Sequence, residues 1–289
     1  MDINEVKSFL DQYQIKPSKS KGQNFLINQD DLDSIIKSAG LKKNDNVLEI
    51  GPGLGVLTEQ LAKKSKKVIS VEVDKKVVYF LKQKFKGTKN LHILEKDILK
   101  IKNEEIFKLF SNQKYKVVAN LPYNITKPVI RKFLEYPPQP DQITFLIQKE
   151  VAEKIVSKPN KNSFLGLTVQ YYGEPSIDGY VSATSFYPQP KVVSAILKIK
   201  LYNDRISPEI KNIYPDLSKF NKKLFWQIVK FGYSSPRKQL HNNLAAGLDL
   251  TSKELKSLFK KIGWREDIRA EKLNLSDWAK FLKLYVVNK

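Results

Sequence analysis

From residue 46 to residue 201 short β-branched runs alternate with longer runs of helical period, a rhythm that few folds accommodate. NVLEI (46–50), KVISVEV (67–73), LHILEKDIL (91–99), KVVANLPY (116–123) and TFLIQ (144–148) read as strands. VLTEQLAKKS, KKVVYFLKQKF and VIRKFLEY, set between them, repeat apolar residues at helical spacing. EVAEKIV and SFLGLTVQYYG continue as helices, and VVSAILKIKL (192–201) is a late strand. Upstream, INEVKSFLDQY predicts a short helix, KPSKSKGQNFL a basic loop, and DDLDSIIKSAG a helix that Gly40 stops. The pattern predicts an α/β fold, a mostly parallel, Rossmann-like sheet with helices on both faces. In such sheets ligands bind beyond the carboxyl ends of the strands. Gly51, Glu72, Asp97 and Asn120 each stand at or just past such an end, so four separate loops are expected to converge on one cleft.

The first loop is Glu49-Ile50-Gly51-Pro52-Gly53-Leu54-Gly55. Its glycines allow a sharp turn and close approach of backbone to a ligand, although a tight turn that only packs helix on strand has the same composition. No Gly-Lys-Ser/Thr closes it, so it is not a P-loop. Glu72 follows 17 residues after Gly55, where a carboxylate can accept from both hydroxyls of a ribose. Glycines at 51, 53 and 55 depart from the G-x-G-x-x-G of dinucleotide sites. The Glu49 carboxylate beside the loop repels phosphate but suits the sulfonium and ammonium groups of S-adenosylmethionine. Asp97 can accept from an adenine amine. The expected cofactor is S-adenosylmethionine, and the expected fold a class I methyltransferase sheet.

Asn120-Leu121-Pro122-Tyr123, at the fourth strand end, points to the reaction. An exocyclic amine of adenine is a poor nucleophile because its lone pair is delocalised into the ring. The Asn120 side-chain oxygen and the Leu121 or Pro122 carbonyl can both accept from that amine, localise the lone pair and aim it at a methyl group. Pro122 stiffens the turn, and Tyr123 offers a ring on which an extruded base can stack. No general base is needed, because the proton becomes acidic once the nitrogen is alkylated.

Composition narrows the alternatives. The chain of 289 residues has no cysteine and only His92 and His241, so thiolate chemistry, a histidine-rich metal site and a Ser-His-Asp hydrolase are not expected. MDINEV does not open a signal peptide and no run of 18 apolar residues occurs, so neither secretion nor membrane spanning is expected and the cytoplasm is the default. The formal charge of +21 favours a polyanionic partner. Residues 205–289 hold 18 basic and 8 acidic side chains, a net of +10. A boundary is expected where the late strand gives way to polar residues and Pro208. It divides a methyltransferase domain (1–204, with a basic segment 1–22) from a helical, basic, RNA-binding domain (205–289). Lys16, Lys19 and Lys21 add charge beside the cleft.

With these residues assembled, the chain resembles the ribosomal RNA adenine dimethyltransferases, and among them the small-subunit (16S) enzymes. Gly22-Gln23-Asn24-Phe25-Leu26 is similar to the family's N-terminal cofactor motif, and the Gly51 loop, Glu72, Asp97-Ile98-Leu99 and Asn120–Tyr123 follow in family order. Gln148–Ala152, the loop Phe186-Tyr187-Pro188-Gln189-Pro190-Lys191-Val192 and the signature Arg237-Lys238-Gln239-Leu240-His241-Asn242-Asn243-Leu244 complete the likeness. The resemblance implies that Gln23, Asn24, Leu26, Gly51, Gly53, Glu72, Asp97, Ile98 and Asn120 bind S-adenosylmethionine. It implies that Tyr123 and Phe186 clamp the target adenine and that Lys191, Arg237 and Lys238 contact RNA. Pro236 and His241 stand where the family often has arginine, which lowers the local charge. The implied activity is dimethylation of two adjacent adenosines in a 16S rRNA hairpin of the assembling 30S subunit, by a monomer without a metal. The alternatives are a 23S rRNA methyltransferase of the macrolide-resistance type, or a non-catalytic assembly or transcription factor on the same scaffold.

Overall fold

The computed structural model describes residues 3–14, 17, 23–157 and 161–288. Its helices are α1 (Ile3–Gln12), α2 (Gln29–Ala39), α3 (Val56–Lys64), α4 (Lys75–Lys84), α5 (Asn103–Leu109), α6 (Thr126–Glu135), α7 (Lys149–Val156), α8 (Phe164–Tyr172), α9 (Pro208–Ile213), α10 (Lys222–Gly232), α11 (Leu240–Leu248), α12 (Ser252–Lys261) and α13 (Leu275–Val287). The strands are β1 (Phe25–Leu26), β2 (Asn46–Ile50), β3 (Lys67–Glu72), β4 (Leu91–Glu95), β5 (Lys116–Asn120), β6 (Gln142–Gln148), β7 (Gly173–Val181), β8 (Phe186–Tyr187) and β9 (Ser194–Leu201). Two compact units emerge: Met1–Glu153 with Glu174–Leu201, and Lys154–Gly173 with Tyr202–Lys289.

The first unit carries a seven-stranded sheet of order β4-β3-β2-β5-β6-β9-β7. β4, β3, β2, β5 and β6 run parallel, and β9 runs antiparallel to β6. The interior strand β2 is buried along its whole length, which is why NVLEI lacks the alternation of a half-exposed strand. The helices between the strands close on local signals. Asn28 caps α2 by accepting from Asp31 N, and Gly40 ends it in the left-handed region. Leu32, Ile35 and Ile36 of α2 and Leu57 and Leu61 of α3 pack with Val47, Val118 and Leu146 of the sheet. A second cluster joins Val6 and Leu10 of α1 to Val77, Phe80 and Leu81 of α4. β1 and β8 form a separate two-stranded ribbon, Phe25 opposite Tyr187 and Leu26 opposite Phe186.

The second unit is helical, and it takes in residues 154–173, which the sequence assigns to the methyltransferase domain. The reason is local bonding and packing. Asn162 Nδ2 donates to the Leu273 carbonyl (3.0 Å), and Tyr171 of α8 packs edge-on against Trp226 of α10 at 5.2 Å. Trp278 of α13 is fully buried. Among the described residues no helix is long and apolar enough to cross a membrane.

Candidate active site at the carboxyl ends of the strands

The four strand-end loops converge as expected. Gly51, Gly53, Glu72, Asp97, Ile98 and Asn120–Tyr123 line one cleft of about 300 Å³, together with Gln23–Leu26. That volume suits a ligand of nucleoside size.

Gly51, Gly53 and Gly55 all have positive φ (65°, 54° and 75°), a region that L side chains rarely adopt. A methyl on Gly55 would also stand 2.7 Å from the Phe85 ring. The loop is pinned by Gly51 N to the Val71 carbonyl (3.0 Å) and by Lys84 Nζ to the Leu54 carbonyl (3.0 Å). Glu72 is nearly buried, and its Oε1 accepts from the backbone N–H of Val73 (2.8 Å) and Asp74 (2.9 Å). Burial raises its pKa and those backbone bonds oppose the rise. Asp97 Oδ1 accepts from Leu99 N (2.9 Å).

Asn120 Nδ2 donates to the Asn24 carbonyl (3.1 Å). A carbonyl needs a donor, so this bond fixes which end of the amide is which and leaves Oδ1 as the acceptor. The sequence left open which backbone carbonyl assists it. Pro122 O already accepts from Ile125 N (3.2 Å) and Thr126 Oγ1 (3.4 Å), which uses both of its lone pairs. Leu121 itself is held by its N–H on the Leu146 carbonyl (3.1 Å).

Several placements differ from the sequence reading. Phe186 does not line the cleft: it is 3% exposed and packs with Leu26, Leu32 and Ile196. Its ribbon partner is Leu26, so the pairing register turns the ring into the core. Lys16, Lys19 and Lys21 lie outside the described residues. Lys191, Arg237 and Lys238 are exposed. His241 is buried, with Nδ1 on Ser252 Oγ (2.9 Å) and Nε2 on Gln239 Oε1 (2.8 Å). Its departure from arginine therefore changes packing between α11 and the start of α12 as well as surface charge. Asn243, from the same signature, donates to the Gly232 (2.7 Å) and Ser235 (3.0 Å) carbonyls and so secures the turn after α10.

Two features of the cleft go beyond the sequence, which offered Glu49 only as a carboxylate suited to the cofactor's cationic groups and passed over Val73. Glu49 is fully buried and accepts from Ser70 Oγ (2.5 Å), and among the described residues its Oε1 has no hydrogen-bond partner. Burial pushes its pKa up to about 7 against the pull of the Ser70 and Thr58 hydroxyls, with Glu72 adding to the rise. Val73 is 59% exposed and lines the cleft beside Glu72, an apolar face that only its place after a strand-end acid could have flagged.

This sheet, with its ligand loops gathered at the carboxyl ends of the strands, is that of a class I methyltransferase. The chain belongs to the ribosomal RNA adenine dimethylase family, whose model matches residues 15–285. It is 40% identical over 284 residues to the ribosomal RNA small subunit methyltransferase A of Dehalococcoides mccartyi, covering 98% of this chain and 94% of that one. It is 36% identical over 277 residues to the protein of the same name from Clostridium botulinum (95% and 96% covered). The crystal structure of a dimethyladenosine transferase from Plasmodium falciparum matches with a TM-score of 0.71 at 25% identity, covering 91% of this chain and 96% of that one. That of the 23S rRNA methyltransferase ErmE matches with a TM-score of 0.69 at 21% identity (90% and 99% covered), a likeness of fold. The chain is an S-adenosylmethionine-dependent rRNA adenine dimethyltransferase.

The cleft fits that cofactor by the chemistry of its donors and acceptors. It offers carboxylates at 72 and 97 that can accept from hydroxyls and an amine, apolar faces at Val73 and Ile98, and a glycine loop at 51–55 that lets the backbone approach a ligand closely.

Proposed function

We propose that this enzyme puts two methyl groups on each of two adjacent adenosines in a hairpin of small-subunit (16S) rRNA. It acts as a monomer in the cytoplasm, on the assembling 30S particle, where the bases can be unstacked. The names of its relatives support the small subunit over the 23S alternative. The basic helical unit and Lys191, Arg237 and Lys238 supply phosphate contacts.

The observation that carries the mechanism is the Asn120–Asn24 bond. With Nδ2 committed to Asn24, Oδ1 of Asn120 and the carbonyl of Leu121 accept from the two N–H groups of the target amine. Both acceptors draw the nitrogen towards tetrahedral geometry, so its lone pair leaves the ring and points along one line. S-adenosylmethionine, when bound, supplies an electrophilic methyl group on a sulfonium. Glu72 would hold its ribose and Asp97 its adenine amine, while Val73, Ile98, Gln23, Asn24, Leu26, Gly51 and Gly53 would line the rest of the site. Tyr123 offers the ring on which the flipped adenine stacks. The displaced proton passes to water, since the alkylated nitrogen is acidic.

Tritium transfer from labelled S-adenosylmethionine into undermethylated 30S particles tests this reading, and primer extension across both rRNAs locates the product. Label in 16S rRNA that vanishes with Asn120→Ala is expected. Label in 23S rRNA alone, or full activity in Asn120→Ala, overturns it.

A further inference from the structure

Tyr123 makes a contact that neither stacking nor methyl transfer requires. It lies on the turn after β5, yet its hydroxyl is 2.8 Å from Oγ of Ser194, the first residue of β9. β6 stands between those two strands. The contact can bridge the end of β6 because β9 runs antiparallel to it. Ser194 is in register with Gln148, the last residue of β6, so β9 begins at the edge where the parallel strands end. Ser194 is fully buried, a place where a hydroxyl without a partner is disfavoured. Burial raises the Tyr123 pKa and the Ser194 bond opposes this. The phenol therefore keeps its proton at neutral pH and serves as a tether, not as a base.

A ring on a turn can rock about χ1 and χ2, and each wrong orientation removes the face that a base needs. A hydrogen bond at the para position removes most of that freedom. We propose that Ser194 is a positioning residue of this enzyme, which holds the Tyr123 ring in the plane on which the target adenine stacks. The inference rests on the reading of Tyr123 as the stacking face.

The test compares Tyr123→Phe, Ser194→Ala, their double variant and Tyr123→Ala in methylation of undermethylated 30S particles. Calorimetry of S-adenosylmethionine binding without RNA accompanies it. Tyr123→Phe and Ser194→Ala should each lower kcat about three- to tenfold, the worth of one hydrogen bond, with cofactor affinity unchanged within about twofold. The double variant should be no worse than the poorer single, since both changes remove the same bond. Losses that multiply in the double variant overturn the tether, as does a Ser194→Ala enzyme with wild-type kcat. A fall in cofactor affinity equal to the fall in kcat also overturns it, because it marks a general loosening. Should Ser194→Ala fail to fold, Tyr123→Phe carries the test alone. Tyr123→Ala separates the two layers of the argument: a loss on the order of 10- to 100-fold supports stacking. Wild-type activity in that variant removes the reading itself, whereas a crippled Tyr123→Ala beside an unimpaired Ser194→Ala removes only the tether.

Discussion

Asn120 and Asn24 stand 96 residues apart in sequence, yet the amide nitrogen of the first bonds the backbone carbonyl of the second at 3.1 Å. The segment at residues 23–26 therefore sets the orientation of the group that meets the target amine. Asn120→Asp replaces the N–H donor with an oxygen and sets a carboxylate against that carbonyl. We expect kcat to fall on the order of 100-fold or more, as when one preorganised polar group of an active site is removed. Single-turnover methylation of 30S particles with saturating cofactor measures it, and a wild-type rate in the Asn120→Asp enzyme would remove the geometric argument.

Glu49 predicts a pH dependence of stability. Its carboxyl titrates near 4.5 when unfolded and at about 7 in the folded protein, because burial disfavours the charged form. Below about pH 4.5 both states hold the proton. Between there and pH 7 the unfolded chain has released a proton that the folded chain keeps, so stability falls as pH rises through this window and is level above it. The contribution is about 3 kcal/mol. Glu49→Gln keeps an acceptor for Ser70 and removes the titration. Urea unfolding at pH 5 and pH 7.5 should show a smaller drop for the variant by roughly that amount, and parallel pH curves would refute the assignment.

Phe186 separates packing from stacking. A ring buried against Leu26, Leu32 and Ile196 leaves a cavity when truncated, so Phe186→Ala should lose about 3–5 kcal/mol of unfolding free energy. Phe186→Leu should recover most of both stability and methylation. If Phe186→Leu folds normally but is inactive, the residue serves the base after all.

Arg237 and Lys238 are exposed just before α11. If they bind phosphate, replacing both with alanine should flatten the dependence of log affinity on log salt by about 1–2 units and leave cofactor affinity unchanged. Filter binding to rRNA at several salt concentrations reads the slope directly. His241→Arg, by contrast, should destabilise the helical unit by about 1–3 kcal/mol, because the new charge replaces a buried imidazole bonded on both nitrogens. A gain in rRNA affinity without loss of stability would show that the position faces the nucleic acid.

The sheet was legible because NVLEI, KVISVE and KVVAN are buried strands with a glycine, an acid or an asparagine at their ends, and those chemical markers fall where the cleft forms. β1 and β8 were not legible, since two-residue strands have no period to detect. Nor was β7: GEPSIDGYV mixes glycine, proline and acids in a strand buried only at its two ends. SFLGLTVQYYG gives itself away as a helix, but nothing in it says that Tyr171 packs with Trp226 more than 50 residues later. The burial of Phe186 had no local signal either, because a motif fixes a residue in sequence, while pairing register decides which way its side chain turns. The Tyr123–Ser194 bond and the complete burial of Glu49 are tertiary facts without local signal.

The reversal of β9 has a further consequence. On the reading proposed above, β3 and β4 end in the cofactor's acids while β5 and β9 meet at the target base, with β2 between the two halves. Because β9 starts at the catalytic rim, the segment leading into it approaches the site from the side opposite the acids of β3 and β4, anchored to β1 only through residues 186 and 187. The methyl donor and the target base thus approach this sheet from opposite flanks, and a change between residue 187 and β9 alters the second flank without touching the strand ends of the first.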